Sequence, residues 1–145
     1  MAKIDLPDNI LNALSTVLLQ LQQSLPELKQ SPDFSAYAYK WQAGELKPIH
    51  QLKQIELADL KGIERQKEKV IQNTLQFLKG LPANDVLLTG SRGTGKSSIV
   101  RALLTEYADQ GLRLIEIERD DLSDLPQIQQ LIAGRPEKFI VYCDD

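Results

Sequence analysis

The residues best suited to chemistry lie in one short segment, residues 90–97, with the sequence GSRGTGKS. This segment, which we call the glycine-rich loop, satisfies the pattern G-x-x-x-x-G-K-[ST]. Its glycines allow the backbone to wrap around oxyanions and to point N–H groups at them. Lys96 would neutralise the charge of the β- and γ-phosphates, and the hydroxyl of Ser97 is a hard oxygen ligand suited to Mg²⁺. The pattern therefore predicts a site for a nucleoside triphosphate with Mg²⁺.

A second chemical signal follows the apolar run FIVYC, where Asp144 and Asp145 end the sequence. A buried parallel strand delivers carboxylates at its C-terminal end to the crevice in which ligands bind. We therefore expect Asp144 to hold Mg²⁺ through water and Asp145 to orient or deprotonate an attacking water molecule. Lys96 and Asp145 are the candidate catalytic residues.

The segments around the loop predict an α/β fold. DVLLTG, directly before the loop, has the pattern of a short buried strand, and residues 97–109 have the apolar spacing of a helix. Residues 112–118 predict a second strand, 126–133 a short helix and 139–143 a third strand. Strands and helices that alternate with brief connections are typical of a parallel sheet with flanking helices.

The first part of the chain predicts helices and a connector. Residues 7–24 have an amphipathic helical pattern, typical either of a helix docked on its own domain or of one that associates with a partner. Residues 31–33 have the order of an N-cap and first helical turn, so we expect a helix that ends near Gly44. The alternating aromatic residues at 37, 39 and 41 also fit a strand. Residues 46–55 predict an extended connector, and 63–79 a helix.

Composition and charge exclude several classes of protein. The 145 residues, 42% hydrophobic and 26% charged, are typical of one globular domain and exclude extensive disorder. The net charge of −3 gives no general attraction to nucleic acid or to a membrane. No apolar run approaches the ~20 residues that cross a bilayer. The single cysteine, Cys143, excludes an internal disulfide and predicts a cytoplasmic location.

Three other patterns are weaker. The D-x-x-G pattern at 59–62 fits GTPases, but it precedes the glycine-rich loop and no guanine-reading N-K-x-D follows. His50 has no neighbouring Cys or His, which disfavours a role as ligand or base. An acidic patch alternates along the second predicted strand and the loop after it, which is more typical of a solvated edge than of a metal site. Its members are Glu116, Glu118, Asp120, Asp121 and Asp124.

From about residue 57 to residue 145 the chain resembles AAA+ ATPases, and more specifically the bacterial family labelled domain of unknown function eight-one-five. The segments that carry the resemblance are KGIERQKE, NTLQFLKGLPAN, GSRGTGKSS, ALLTEYADQGLRLIEIERDDLSDLP and KFIVYCDD. The resemblance implies an ATP-binding core of the P-loop NTPase type, with ATP and Mg²⁺ as cofactors. It implies that the adenine lies near residues 59–63 and the triphosphate on residues 93–98.

The complete set of candidate site residues combines the motif with this resemblance. The expected nucleotide-binding residues are Asp59, Lys61, Gly62, Ile63, Gly90, Arg92, Gly93, Thr94, Gly95, Lys96, Ser97 and Ser98. The expected metal ligands are Ser97 and Asp144. Asp145 stands where most AAA+ proteins have a glutamate, and no aromatic residue follows the second predicted strand. The latter argues against the threading of a substrate through an aromatic pore.

The resemblance also predicts an incomplete core. The AAA+ strand order is 5-1-4-3-2, and this sequence supplies only the first three strands. We therefore expect the parallel sheet to be incomplete at its C-terminus. We also expect the chain alone to be marginally stable or prone to aggregation and to have negligible ATPase turnover. Residues 1–56 would form a small helical N-terminal extension and connector, and residues 57–145 a partial nucleotide-binding core. The resemblance implies ring-like self-association in a full-length protein and an unidentified protein substrate.

Three functions fit these observations. The first is an ATP-binding, ATP-hydrolysing AAA+ core that ends after the acidic pair. The second is a non-catalytic interaction module in which ATP is structural. The third, a P-loop small-molecule kinase, would need acceptor-binding and lid residues that the sequence does not show. No sequence feature points to nucleic acid or to a membrane as a partner.

Overall fold

A computed structural model describes residues 7–24 and 32–143 of the chain. Residues 32–143 form an α/β structure with a four-stranded mixed sheet and flanking helices, and the first described segment forms a separate helix. The helices are α1 (Asp8–Ser24), α2 (Glu64–Leu78), α3 (Lys96–Tyr107) and α4 (Leu125–Ile132). The strands are β1 (Ala38–Gln42), β2 (Glu45–Ile49), β3 (Leu112–Ile117) and β4 (Lys138–Cys143). Helix α1 belongs to one compact unit of the chain and all other elements to a second.

The sheet has the order β2-β1-β3-β4. Strands β1 and β2 form an antiparallel hairpin, whereas β1 pairs with β3 and β3 with β4 in parallel. Helix α4 lies between β3 and β4 in the chain, as expected because parallel neighbours need a crossover connection. The parallel sheet predicted from the sequence is thus correct for β3 and β4, and the hairpin makes the whole sheet mixed.

Two apolar clusters cover the two faces of this sheet. Strand β3 contributes to both, because its side chains alternate: Leu112 and Leu114 face one cluster, Ile115 and Ile117 the other. The first cluster contains the buried face of α3, and half-buried residues of α2 pack against it. The second contains Tyr39, Trp41 and Ile128 of α4. Helix α3 is therefore fixed by its packing against the sheet.

The helix expected over residues 31–44 is wrong, because residues 38–44 form β1 and the turn into β2, as the alternative strand prediction for the aromatic residues indicated. The turn residues Ala43 and Gly44 both have positive φ, at 52° and 76°, as a two-residue type I′ hairpin turn requires. Trp41 is fully buried, and its indole N–H donates to the Asp124 carboxylate at 2.9 Å. Burial of alternating aromatic residues on the sheet outweighs the helix-capping signal.

That capping signal has a local explanation. The Asp33 carboxylate accepts a hydrogen bond from the backbone N–H of Ser35 at 2.9 Å, which forms a turn rather than a helix start. This hydrogen bond lowers the pKa of Asp33. The first part of the expected connector is also wrong, since residues 46–49 belong to β2.

The strand expected directly before the glycine-rich loop does not form, and residues 81–90 have no regular secondary structure. Leu87 is 87% exposed, and Val86 is exposed as well. An apolar run becomes a strand only where a neighbouring strand satisfies its backbone groups. Among the described residues, β4 pairs with β3 alone, and no strand lies beside residues 84–89.

The remaining element predictions are confirmed. The structure has the helices expected at 7–24, 63–79, 97–109 and 126–133 and the strands expected at 112–118 and 139–143. Strands β1 and β2 precede residue 57 and share the sheet with β3, while the division of the chain at residue 56 stays a prediction. In the part of the chain that the structure describes, no helix is long and apolar enough to cross a membrane.

Candidate functional site

The glycine-rich loop has a backbone conformation that depends on its glycines. Gly93 and Gly95 have φ values of 84° and 90°, in the left-handed region where residues with a Cβ atom are strained. Gly95 caps α3, which begins at Lys96. At Gly90, with φ of 153°, a Cβ atom would lie 2.8 Å from Oγ1 of Thr94. This close approach explains why a glycine stands at position 90.

Hydrogen bonds within the loop hold it closed. The hydroxyl of Thr94 donates to the carbonyl of Ser91 at 2.8 Å. The Lys96 ammonium donates to the carbonyl of Gly90 at 2.7 Å and to that of Ser91 at 3.2 Å. These contacts place the positive charge of Lys96 over the beginning of the loop.

The loop and the first turn of α3 border an open cavity of ≈ 540 Å³. This volume lies within the ~300–1,000 Å³ typical of ligand sites. Its lining carries two cationic residues and no carboxylate: Gly90, Arg92, Gly93, Gly95, Lys96, Ser97 and Ser98. The first intrahelical bond of α3 runs from the N–H of Ile99 to the carbonyl of Gly95, at 3.0 Å. The N–H groups of residues 96–98 precede it and lie at the positive end of the helix dipole. The cavity is thus suited to an anion such as a phosphate chain.

Tyr142 of β4 also contacts this site, and the sequence did not identify it. Its hydroxyl donates to the Ser97 hydroxyl at 3.0 Å, which connects the sheet to the first turn of α3. A signal was present, because alternation along a strand places residues 142 and 144 on the same face. Asp144 and Asp145 lie outside the described residues, so their expected roles in metal binding and catalysis stay predictions.

A second cavity, of ≈ 420 Å³, lies beside Lys40 of β1 and the C-terminal end of β3 and includes Tyr142 in its lining. Two ion pairs border it: Arg101 of α3 with Glu116 at 3.2 Å, and Lys40 of β1 with Glu118 at 2.7 Å. The hydrogen bond from Lys40 lowers the pKa of Glu118, and the same contact raises the pKa of Lys40. Opposite charges therefore balance one another along this cavity.

Within the acidic patch, Glu116, Glu118 and Asp124 have donors as partners. These three carboxylates hold neighbouring elements together. Across residues 7–24 and 32–143, no three His, Cys, Asp or Glu side chains converge on a possible metal position.

The segment 57–63, which includes the residues 59–63 expected beside the adenine, is attached to α2 and to the first apolar cluster. The Lys67 ammonium donates to the carbonyls of Leu57 and Leu60, at 2.9 and 3.0 Å. Leu57, Leu60 and Ile63 pack against the cluster that contains the buried face of α3. The structure thus brings this segment to the helix that follows the glycine-rich loop.

Two polar groups of this segment, the Asp59 carboxylate and the Gly62 backbone N–H, have local partners. Asp59 accepts a hydrogen bond from the backbone N–H of Glu56 at 3.3 Å, and the N–H of Gly62 donates to Glu64 at 3.0 Å. The cavity of the glycine-rich loop has none of residues 59–63 in its lining. Adenine binding by Asp59, Lys61, Gly62 and Ile63 therefore stays a prediction.

Taken together, the fold and the site define an α/β protein with a positively charged glycine-rich loop at the start of a helix. Residues 34–145 match the family described as protein of unknown function (DUF815), and the chain belongs to this family. The predicted resemblance to the family labelled domain of unknown function eight-one-five is thereby confirmed, while the resemblance to AAA+ ATPases stays a prediction. Neither the curated proteins nor the solved structures contain a match to this chain.

Proposed function

We propose that this chain binds ATP together with Mg²⁺ at the glycine-rich loop, as the nucleotide-binding core of an AAA+ ATPase with a P-loop NTPase fold. The observation that carries the proposal is the positively charged cavity formed by this loop and the first turn of α3. The sequence pattern and the family resemblance support the same function.

The residues of the cavity fit the groups that ATP and Mg²⁺ present. The triphosphate is an extended anion, and the cavity offers it the Lys96 ammonium and the N–H groups at the start of α3. The absence of a side chain at Gly90, where a Cβ would meet Thr94, keeps the loop closely wound. The hydroxyl of Ser97 would ligate Mg²⁺. Arg92 adds a second positive charge to the lining.

Hydrolysis is the finer part of the proposal and depends on the acidic pair that follows β4. Bound ATP with Mg²⁺ supplies an electrophilic γ-phosphoryl group. With that group bound, Lys96 would stabilise negative charge on the transferred phosphoryl, Asp144 would hold the metal through water, and Asp145 would orient or deprotonate the attacking water. Ring assembly, a protein substrate and adenine binding near residues 59–63 complete the proposal by resemblance.

Replacement of Lys96 by Ala tests the binding proposal. A charge-assisted hydrogen bond contributes ~1.5–3 kcal/mol, so Lys96→Ala should weaken the affinity for ATP with Mg²⁺ by about 10- to 100-fold. Isothermal titration calorimetry measures this change. Lys53→Ala removes an exposed lysine outside the loop and should leave the affinity unchanged. Equal affinities of the wild type and Lys96→Ala would contradict the proposed site.

The fate of the γ-phosphate separates the three candidate functions. Transfer of the γ-phosphoryl group to water, with release of inorganic phosphate, supports the ATPase. This activity should be lost in Asp145→Asn. Transfer of phosphate to another acceptor supports a kinase. Tight ATP binding without turnover, even in a full-length protein, supports a non-catalytic module and contradicts the hydrolytic part of the proposal. Product analysis with ATP labelled in its γ-phosphate distinguishes these outcomes.

A further inference from the structure

The contact between Tyr142 and Ser97 joins β4 to α3, two elements that are also connected through β3. Tyr142 lies opposite Glu116 in the parallel register of β4 and β3. Glu116 in turn pairs with Arg101, one helical turn after Ser97, at 3.2 Å. The Tyr142 phenol thus contacts Ser97 from β4, and the neighbouring strand β3 is connected to α3 by an ion pair. This arrangement fixes the position of the phenol relative to the first turn of α3.

The donor and acceptor roles in this contact are compatible with metal binding by Ser97. The Tyr142 hydroxyl donates to the Ser97 oxygen at 3.0 Å. A serine hydroxyl oxygen has two lone pairs, so accepting this hydrogen bond does not prevent it from ligating a cation. A serine side chain has three staggered rotamers, and a hydrogen bond from a fixed donor selects among them.

We infer that Tyr142 is a positioning residue that orients the Ser97 hydroxyl for Mg²⁺. The inference rests on the proposed function, because it assigns Tyr142 a role through the serine of the nucleotide site. Groups that orient metal ligands commonly change metal affinity or activity by 10- to 100-fold when they are removed. The effect of Tyr142 is therefore confined to the part of ATP affinity that depends on Mg²⁺.

Titrations of ATP with and without Mg²⁺ test this role. Tyr142→Phe removes only the phenolic oxygen and should weaken ATP affinity in Mg²⁺ by about tenfold. In EDTA, the affinities of variant and wild type should agree within about twofold. Tyr107→Phe, which removes a phenolic oxygen from the buried face of α3, is the matched control and should change neither affinity.

A double-mutant cycle shows whether Tyr142 acts through Ser97. In a Ser97→Ala background the further change Tyr142→Phe should have no effect on ATP affinity in Mg²⁺, because the group that it orients is gone. A second loss of about tenfold in that background would overturn the inference. Equal losses in Mg²⁺ and EDTA would assign Tyr142 a merely structural role and would overturn it too.

A readout without nucleotide completes the test. In the wild-type protein, the side-chain couplings of Ser97 measured by NMR should indicate one dominant rotamer, and in Tyr142→Phe an average over several. Unchanged couplings and unchanged Mg²⁺-dependent affinity would overturn the role of Tyr142 while leaving the proposed function intact. No binding of ATP to the wild type at millimolar concentration would overturn both.

Discussion

At the residue scale, the shape of the glycine-rich loop depends most on Gly90. Lys96 donates to the carbonyl of Gly90, and Thr94 lies where a side chain at position 90 would point. The positions of the Lys96 ammonium and of the Thr94 hydroxyl therefore depend on the absence of a Cβ atom at residue 90. The sequence pattern predicts a glycine here, and the structure shows that a larger residue would contact Oγ1 of Thr94.

Substitution of Gly90 by Ala should disturb the loop more than the fold. The added Cβ would lie 2.8 Å from Oγ1 of Thr94 and displace the loop, so the affinity for ATP should fall by at least about tenfold. Gly111→Ala is a matched control, since Gly111 has φ of 93° and no atom within 4 Å of the added Cβ. It should lower stability by ~1–2 kcal/mol without changing ATP affinity. Titration calorimetry and urea unfolding measure the two effects.

The ion pair between Arg135 and Glu137 gives a prediction on pH. Two hydrogen bonds of 3.0 Å join the guanidinium to the carboxylate and hold the pKa of Glu137 below its usual value of 4.5. Because the folded-state pKa is lowered, the pair stabilises the fold above the unfolded pKa. This contribution is lost as the pH falls through the folded value.

We therefore expect Glu137→Gln to lower the free energy of unfolding by about 0.5–1 kcal/mol near neutral pH. The difference from the wild type should shrink as the pH falls from about 6 to about 3. Urea unfolding followed by the fluorescence of Trp41, the single tryptophan, measures it. Glu68→Gln, at an exposed position on α2, is the control. A difference that stays constant with pH would refute the role given to this pair.

At the element scale, the predictable parts are those determined by local spacing. The helices follow from the sequence because the spacing of their apolar residues is a local signal. Gly111, which ends the helical segment after α3, is a local signal as well. The β1–β2 hairpin depends on burial of Tyr39 and Trp41 against distant residues, and a helical cap signal concealed it. The Tyr142–Ser97 contact joins residues far apart in sequence, so only the fold reveals it.

The turn between β1 and β2 provides a test of whether this segment is a hairpin or a helix. Ala43 has φ of 52°, and a left-handed conformation is strained for alanine but not for glycine. Ala43→Gly should therefore raise the free energy of unfolding by about 0.5 kcal/mol. Ala133→Gly, at φ of −59°, should lower it by about 0.5–1 kcal/mol, because glycine there only adds freedom to the unfolded chain. If the segment were helical, both substitutions would be destabilising in urea unfolding.

At the scale of the whole molecule, apolar side chains are divided unevenly between core and surface. Leu103 is 1% exposed within the first cluster, whereas Leu87, in the segment first expected to be a strand, is 87% exposed. The apolar face of α1 is exposed as well, including Leu14, Val17 and Leu18. Exposed apolar surface of this kind favours association, so the prediction of marginal stability or aggregation stands and remains to be tested.

Two leucine substitutions test this division. Leu103→Ala should cost ~2–5 kcal/mol, because it leaves a cavity in the first cluster. Leu87→Ala should change the free energy of unfolding by less than ~0.5 kcal/mol, as at other exposed positions, and should reduce light scattering by the protein. A loss of stability in Leu87→Ala comparable to that in Leu103→Ala would mean that residues 84–89 are buried in a strand after all.

The most direct test of the central claim is to locate ATP on the protein by NMR. When ATP with Mg²⁺ is added to the isotope-labelled chain, the largest changes in backbone amide shifts should cluster at residues 90–98. In Lys96→Ala the same changes should need about 10- to 100-fold more ATP. Shift changes confined to the cavity bordered by Lys40 and Arg101, or no changes at millimolar ATP, would contradict the assignment of the glycine-rich loop as the nucleotide site.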